Sequence, residues 1–429
     1  MGVRVLALLS LAVGSVAVRP ACAARARAAR AYVTLAAKKG GKGMPARSGG
    51  GFGAPPAGCT TATSAAELLG GYEALYAWLD AGGASRRVAI AGFAGLRGVM
   101  ATEDVRKGDA LIAIPSALAL DLGVDAVDPL PAARAFLGAW HALRAARTGS
   151  AADPRALAFA PFFDAIPPMG SADLSTPDFF SDEELRELQW PPLEAEVAAR
   201  ASALRAAANA GGFDPAELNW ARWVVLSRVL TVQDALPTAP ARKLLIPLVD
   251  MCNHHLSRAN AIPSGRVGGR LNVLAARDIA RGEQVRARSR ATALAAAWLC
   301  ARRSCAARAR PPHPQVLIQY GGGALSNDRL LAEYGFIDGS PPALELDVLM
   351  LARALRSARS PGASADGSPL PPLPTAALST TTLAQDERLL ADAAACPPGS
   401  RLAAAVRFRA MLKRALAELV ARQPGRGRQ

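Results

Sequence analysis

The chain of 429 residues has little from which a metal centre or a disulfide scaffold is built. Its four histidines share no ligand spacing with its six cysteines, and no two cysteines stand as CxxC. Structural zinc takes about four such ligands in close pairs, so no metal is predicted. A disulfide framework is equally unsupported, and a reducing compartment follows. Aromatic residues are 5% of the chain, and much of the 51% hydrophobic fraction is alanine. The buried core is therefore smaller than that fraction suggests. The apolar run Val5–Val18 stops short of the roughly 20 residues a bilayer-spanning helix needs. No other stretch is long and apolar enough to cross a membrane. With domains of about 100–200 residues, the length predicts two to three units.

Acidic residues are missing from three stretches or nearly so. Residues 1–50 hold nine Lys/Arg and no acid, residues 286–310 hold seven Arg and no acid, and residues 401–429 hold eight Lys/Arg and one acid. Together they carry +23 of a net +15, which leaves the rest of the chain at −8. A nucleic-acid binder carries its basic residues on the folded body with aromatics between them. Here they sit at the ends and in one odd segment, so no nucleic-acid partner is predicted.

The first 60 residues read as a targeting segment. Arg4 precedes the apolar run, Ala21-Cys22-Ala23 offers a small-x-small cleavage site, and a basic, acid-free stretch with Ser, Thr, Ala and Gly follows. Such a two-step address suits entry into a plastid bounded by extra membranes, with plain secretion as the alternative. Folded sequence starts near Ala65. Glu67–Asp80 has helical spacing, and Val88–Pro115 reads as short strands with a turn at Lys107-Gly108-Asp109. Residues 125–245 read mostly as helix: 132–146, 182–190, 192–209 and 215–232. Ser181 and Glu184 form a capping box, and Asp214-Pro215 opens a helix. Strand character returns at 243–249 and 271–285, and helix again from about Leu344, broken by a Pro/Ser/Gly-rich linker at 359–374.

Two polar clusters stand out. In Leu245–His255, a hydrophobic strand ends at Pro247, and Asp250, Asn253 and His254 follow. An amide that donates and accepts, beside an imidazole with two distinct nitrogens, can grip a ligand carrying a base edge and an amino-acid moiety. The same side chains could merely cap a strand-to-turn corner. In Gln319–Ile337, Tyr320 closes a strand, a glycine-rich turn follows, Ser326-Asn327 opens a short helix, and Tyr334-Gly335-Phe336 ends it. Two of the chain's five tyrosines fall in this window. Phenols can orient an amine or a methyl group, or plug a core with the hydroxyl satisfied.

Four motifs in order resemble the SET-domain protein methyltransferases of the Rubisco large-subunit methyltransferase type, over about residues 85–340. They are Gly95-Leu-Arg-Gly-Val-Met-Ala101 with Asp104–Pro115, Trp220–Arg228, Pro247-Leu-Val-Asp-Met-Cys-Asn-His254, and Gly282-Glu-Gln-Val285 with Leu317–Ile337. The resemblance implies an α+β chain. A SET β-fold spans 65–340, with a helical insertion at about 125–240. A shortened helical substrate-binding region fills 341–429; the oligomeric state is left open, with a monomer expected. It implies a protein-lysine N-methyltransferase that uses S-adenosylmethionine and takes a protein substrate, such as the Rubisco large subunit or another plastid enzyme. By the same resemblance, Gly95, Leu96, Arg97, Asn253, His254 and Arg228 would hold the cofactor. Asp250, Tyr320, Tyr334 and Phe336 would line the lysine site, with Tyr320 and Tyr334 catalytic. A catalytically silent SET fold acting as a protein-binding module is the alternative, and methylation of histidine is a further subclass.

The sequence departs from the family's pattern at four places, one of them the short C-terminal region with its 359–374 linker. Leu96 stands where the opening turn usually has its first glycine, with Gly95 one earlier. Arg228 lies far upstream of Asp250. Arg286–Gln315 interrupts what would otherwise read Gly-Glu-Gln-Val-Leu-Ile-Gln-Tyr, a clean strand into Tyr320. That segment is either translated intron or a real surface loop.

Overall fold

Two glycines divide the first apolar stretch. A helix is expected over Glu67–Asp80, but the computed structural model has Glu67–Leu68 as a short strand (β1) and helix only over Glu73–Ala81 (α1). Gly71 between them takes φ 88°, a left-handed conformation that no helix continues through. The structure describes residues 67–93, 96–150, 153–234, 236, 238–253, 259–282, 325–359, 374–397 and 399–422, all within one compact unit. The targeting segment, the 286–315 insert and most of the 359–374 linker lie outside the described residues.

Ser85–Arg86 (β2) precedes a hairpin of Val88–Phe93 (β3) and Leu96–Ala101 (β4), in register from Val88 opposite Ala101 to Phe93 opposite Leu96. β1 pairs with the other edge of β3. Ala110–Pro115 (β5) is buried on both faces, as its run of apolar residues requires. It pairs with β2 and with Arg270–Ala275 (β10), and β10 pairs with Ala261–Ser264 (β9). A third sheet has the order Leu120–Val124 (β6), Arg242–Leu245 (β8), Leu230–Val232 (β7). These three small sheets surround one core, with Ile90, Val99, Leu111, Ile114 and Val273 almost fully buried.

The helical insertion follows its capping signals. Leu130–Arg147 (α2), Pro154–Ala158 (α3), Ala160–Ala165 (α4), Asp182–Arg186 (α5), Pro191–Gly211 (α6) and Pro215–Arg228 (α7) lie between β6 and β7. Ser181 and Glu184 make both halves of the capping box, and Asp214 accepts from Ala216 and Glu217 N–H. Two expected helices are shorter than their periodicity. α5 stops at Arg186 because Gln189 turns to φ 51°. α7 stops at Arg228 because Val229 is extended and 230–232 joins a sheet. Strand character at 243–249 and 271–285 is also cut short. Val249–Met251 is a 3-10 turn, and beyond β10 the described chain keeps only a bridge from Ile279 to Val105. β9 went unforeseen.

A second core lies farther along the chain. Asn327–Tyr334 (α8), Pro341–Arg359 (α9) and, after Leu383–Ala391 (α10), Arg401–Ala421 (α11) pack with α6 through Leu193, Val197, Leu331, Leu351, Phe408 and Leu412, while α10 packs Leu389 and Leu390 against Ala403 and Val406 of α11. Buried ions join it to the insertion. Asp386, fully buried, receives Arg409 at 2.9 Å and Lys413 at 2.5 Å, and Arg409 also pairs with Glu187. Glu196 on α6 takes a two-pronged grip from Arg329 on α8 at 2.5 and 2.8 Å.

Candidate active site

The site begins with a strained corner. After β8, Leu248 has φ 65° although it carries a side chain, and burial of that side chain holds it there. The corner tips the chain into the 3-10 turn Val249–Met251, which packs on β4. Asp250 sits in this turn with its side chain fully buried. One carboxylate oxygen takes Arg228 Nη1 at 3.0 Å, and the other has no hydrogen-bond partner among the described residues. Burial pushes the Asp250 carboxyl above its usual range, opposed by the Arg228 and Arg97 charges. The Arg228 guanidinium stands 5.3 Å from the Trp223 ring centroid. The 22-residue separation is thus bridged by a sheet strand and a corner rather than a short loop.

Asn253 follows the turn. Its Nδ2 donates to the main-chain oxygen of Arg97 at 2.8 Å, 156 residues away in sequence. This bond fastens the Asp-Met-Cys-Asn segment to β4. Arg97 is itself held at its far end, where Nη1 donates to Tyr72 Oη and to Ala165 O, both at 3.1 Å. A second phenol, Tyr76, accepts the N–H of Ile90 at 2.8 Å on the neighbouring strand.

Tyr334 closes α8, and Gly335 reverses the chain with φ 76°. A Cβ at Gly335 would lie 2.7 Å from the carbonyl carbon of Ser175, so the turn also requires glycine for space. The Tyr334 and Phe336 rings stand 6.4 Å apart, tilted by 49°. α8 packs against α7, the helix that ends in Arg228.

The structure therefore brings Arg97, Asn253, Asp250 and Arg228 together, and sets Tyr334 and Phe336 on the adjoining helix end. Leu96 is placed by its backbone, opposite Phe93 at the hairpin end. Gly95, His254 and Tyr320 lie outside the described residues. Tyr72, Ala165 and Trp223 were missed by sequence reasoning. Tyr72 and Trp223 read as apolar helix positions, and nothing in their local pattern marks them as partners of an arginine.

Known proteins add a fold. No protein-family model matches the sequence, and no curated protein matches it. The structure is similar to the SET domain of LSMT bound to lysine and AdoHcy, at TM-score 0.51 and 15% identity, covering 82% of this chain and 90% of that one. It is also similar to the same domain bound to methyllysine and AdoHcy, at TM-score 0.52 and 15% identity, covering 83% and 91%. Rubisco LSMT bound to sinefungin and monomethyllysine overlaps at TM-score 0.49 and 16% identity, covering 82% and 91%. The chain has the SET-domain fold, α+β with helices in its C-terminal region.

Proposed function

We propose that the chain is a protein-lysine N-methyltransferase that uses S-adenosylmethionine. The observation that carries this reading is the bond from Asn253 to Arg97 O, which joins two separate signature segments on one side of a SET fold. The residues present suit such a cofactor. Arg97 and Asn253 are polar, half-buried and mutually fixed, and Asp250 keeps a buried acceptor with no hydrogen-bond partner among the described residues. Arg97, Arg228, Asn253 and His254 would hold the cofactor, with Gly95 and Leu96 at the hairpin end. The cofactor supplies a methyl group on a positively charged sulfur.

The remaining work falls to this chain's own residues. The attacking amine must be neutral and in line with the methyl group, so alignment and a dry channel count for most. Phenols of Tyr320 and Tyr334 would orient the amine, and Phe336 would exclude water beside them. Asp250 would accept an N–H from the bound substrate while Arg228 balances its charge. The substrate class is a protein lysine, with the Rubisco large subunit and other plastid enzymes first in line. The N-terminal address would deliver the enzyme to the plastid, and residues 341–429 would dock the protein substrate.

Incubation of the full chain with labelled S-adenosylmethionine and plastid extract, followed by mass spectrometry of labelled bands, tests the reading. Methylated lysine on a discrete protein is expected. Cofactor binding without transfer to any protein would instead make the chain a binding module.

A further inference from the structure

The helix that carries Tyr334 is closed on itself by a side chain at its opposite end. Asn327, the first residue of α8, is completely buried. Its Oδ1 accepts the N–H of Asp338 at 2.8 Å, and its Nδ2 donates to Asp338 O at 3.1 Å. The amide thus pairs with the main chain of Asp338 as one peptide pairs with another across a sheet. The same Nδ2 donates to Asp347 Oδ2 at 2.7 Å, and the Asn327 N–H donates to Asp347 Oδ1 at 2.7 Å. Asp347, on α9, is also fully buried and anchors Asn327 from behind.

Length makes this clasp consequential. Between Asn327 and Tyr334 the helix rises about 11 Å. The return from Tyr334 to Asp338 can span at most about 14 Å when fully extended. The segment Gly335–Ile337 therefore runs back beside the helix, and the Asn327 amide meets it at Asp338. Gly335 supplies the reversal and is pressed against Ser175, so both ends of the return are fixed. Tyr334 and Phe336 flank the reversal at Gly335.

We propose that Asn327 is a positioning residue that sets where Tyr334 and Phe336 stand, by clasping the main chain of Asp338. The inference rests on the methyltransferase reading, in which those two rings line the lysine channel. Asparagine is required because only an amide presents a donor and an acceptor at this reach. Aspartate would lose the donor and set a carboxylate against Asp347.

The test uses the full chain and labelled S-adenosylmethionine with the protein that the wild type methylates. Asn327→Ala should lower kcat about tenfold or more, as small misplacements of a reacting group do, while cofactor affinity measured by calorimetry is unchanged. Hydrogen exchange at Phe336–Asp338 should accelerate in the same variant. Asp338→Pro removes the donated N–H, together with the carboxylate that accepts from Ser340 N–H, and should lower kcat in the same direction if Asn327→Ala does not fold. Val127→Thr, a change at an exposed position in the loop before α2, should keep kcat. An active wild type whose kcat survives both clasp variants, or exchange that does not change, overturns this role alone. A wild type that transfers no methyl group overturns the reading beneath it, and this role with it.

Discussion

The amide of Asn253 reaches across 156 residues to the carbonyl oxygen of Arg97, and the 2.8 Å bond between them ties the polar turn to the opening hairpin. The Arg97 side chain is held by Tyr72 and Ala165, so its carbonyl offers a fixed target.

Asn253→Ala removes that tie. One hydrogen bond contributes about 0.5–1.5 kcal/mol to stability, so the fold should persist. Affinity for S-adenosylhomocysteine should fall, and calorimetry reads it. Tyr320→Phe should do the reverse, lowering turnover and leaving affinity alone. Equal affinity in wild type and Asn253→Ala would place the cofactor elsewhere.

The Arg228–Asp250 pair is buried on both sides, with 11% and 0% of the side chains exposed. Removing Asp250 takes from the buried Arg228 guanidinium its carboxylate partner, at a cost of roughly 3–5 kcal/mol. Asp250→Ala should therefore lower the urea midpoint markedly. The double variant Asp250→Leu/Arg228→Met should recover much of that loss while remaining inactive.

Asp386 stands between Arg409 and Lys413 with no exposure of its own. Asp386→Ala leaves Lys413 without its carboxylate and Arg409 with Glu187 alone, and a loss of about 3–5 kcal/mol is expected. Thermal unfolding monitored by circular dichroism would report it. A change in melting temperature no larger than that of a surface substitution would show that water already reaches the pair.

Burial pushes the Asp347 carboxyl up to about 7, helped by Asp328 and Asp338 and opposed by its bonds from Asn327. The folded chain thus holds a proton there that the unfolded chain releases near the ordinary value of 3.8. This contribution to stability is complete below the unfolded value and is lost as pH rises through about 7. The interval corresponds to roughly 4 kcal/mol at most. Urea midpoints should fall between pH 5 and pH 8 in the wild type and vary less in Asp347→Ala. A wild-type midpoint that rises over that range would show that the carboxylate is ionised throughout.

Local chemistry was legible where neighbours in sequence are neighbours in space. The Ser181–Glu184 box, the Asp214 cap and the Ser326 start of α8 stand where the sequence puts them. So does the β3–β4 hairpin. The misread ends have a common cause. At Gln189, Val229 and Gly71 the helical period continues, but backbone angles or a sheet partner end the element. Periodicity reports which face is apolar, and it is silent about where a distant strand will claim the backbone.

The site divides in the same way. Sequence alone determined that Asp250, Asn253, Tyr334 and Phe336 are unusual polar and aromatic residues in two compact clusters, because each cluster is contiguous. Only the tertiary structure decided that Arg228 neutralises Asp250, that Arg97 is the target of Asn253, and that Tyr72 steadies Arg97. Those partnerships join residues 22, 156 and 25 positions apart. They depend on which surfaces are buried together, and no local pattern in the chain encodes that.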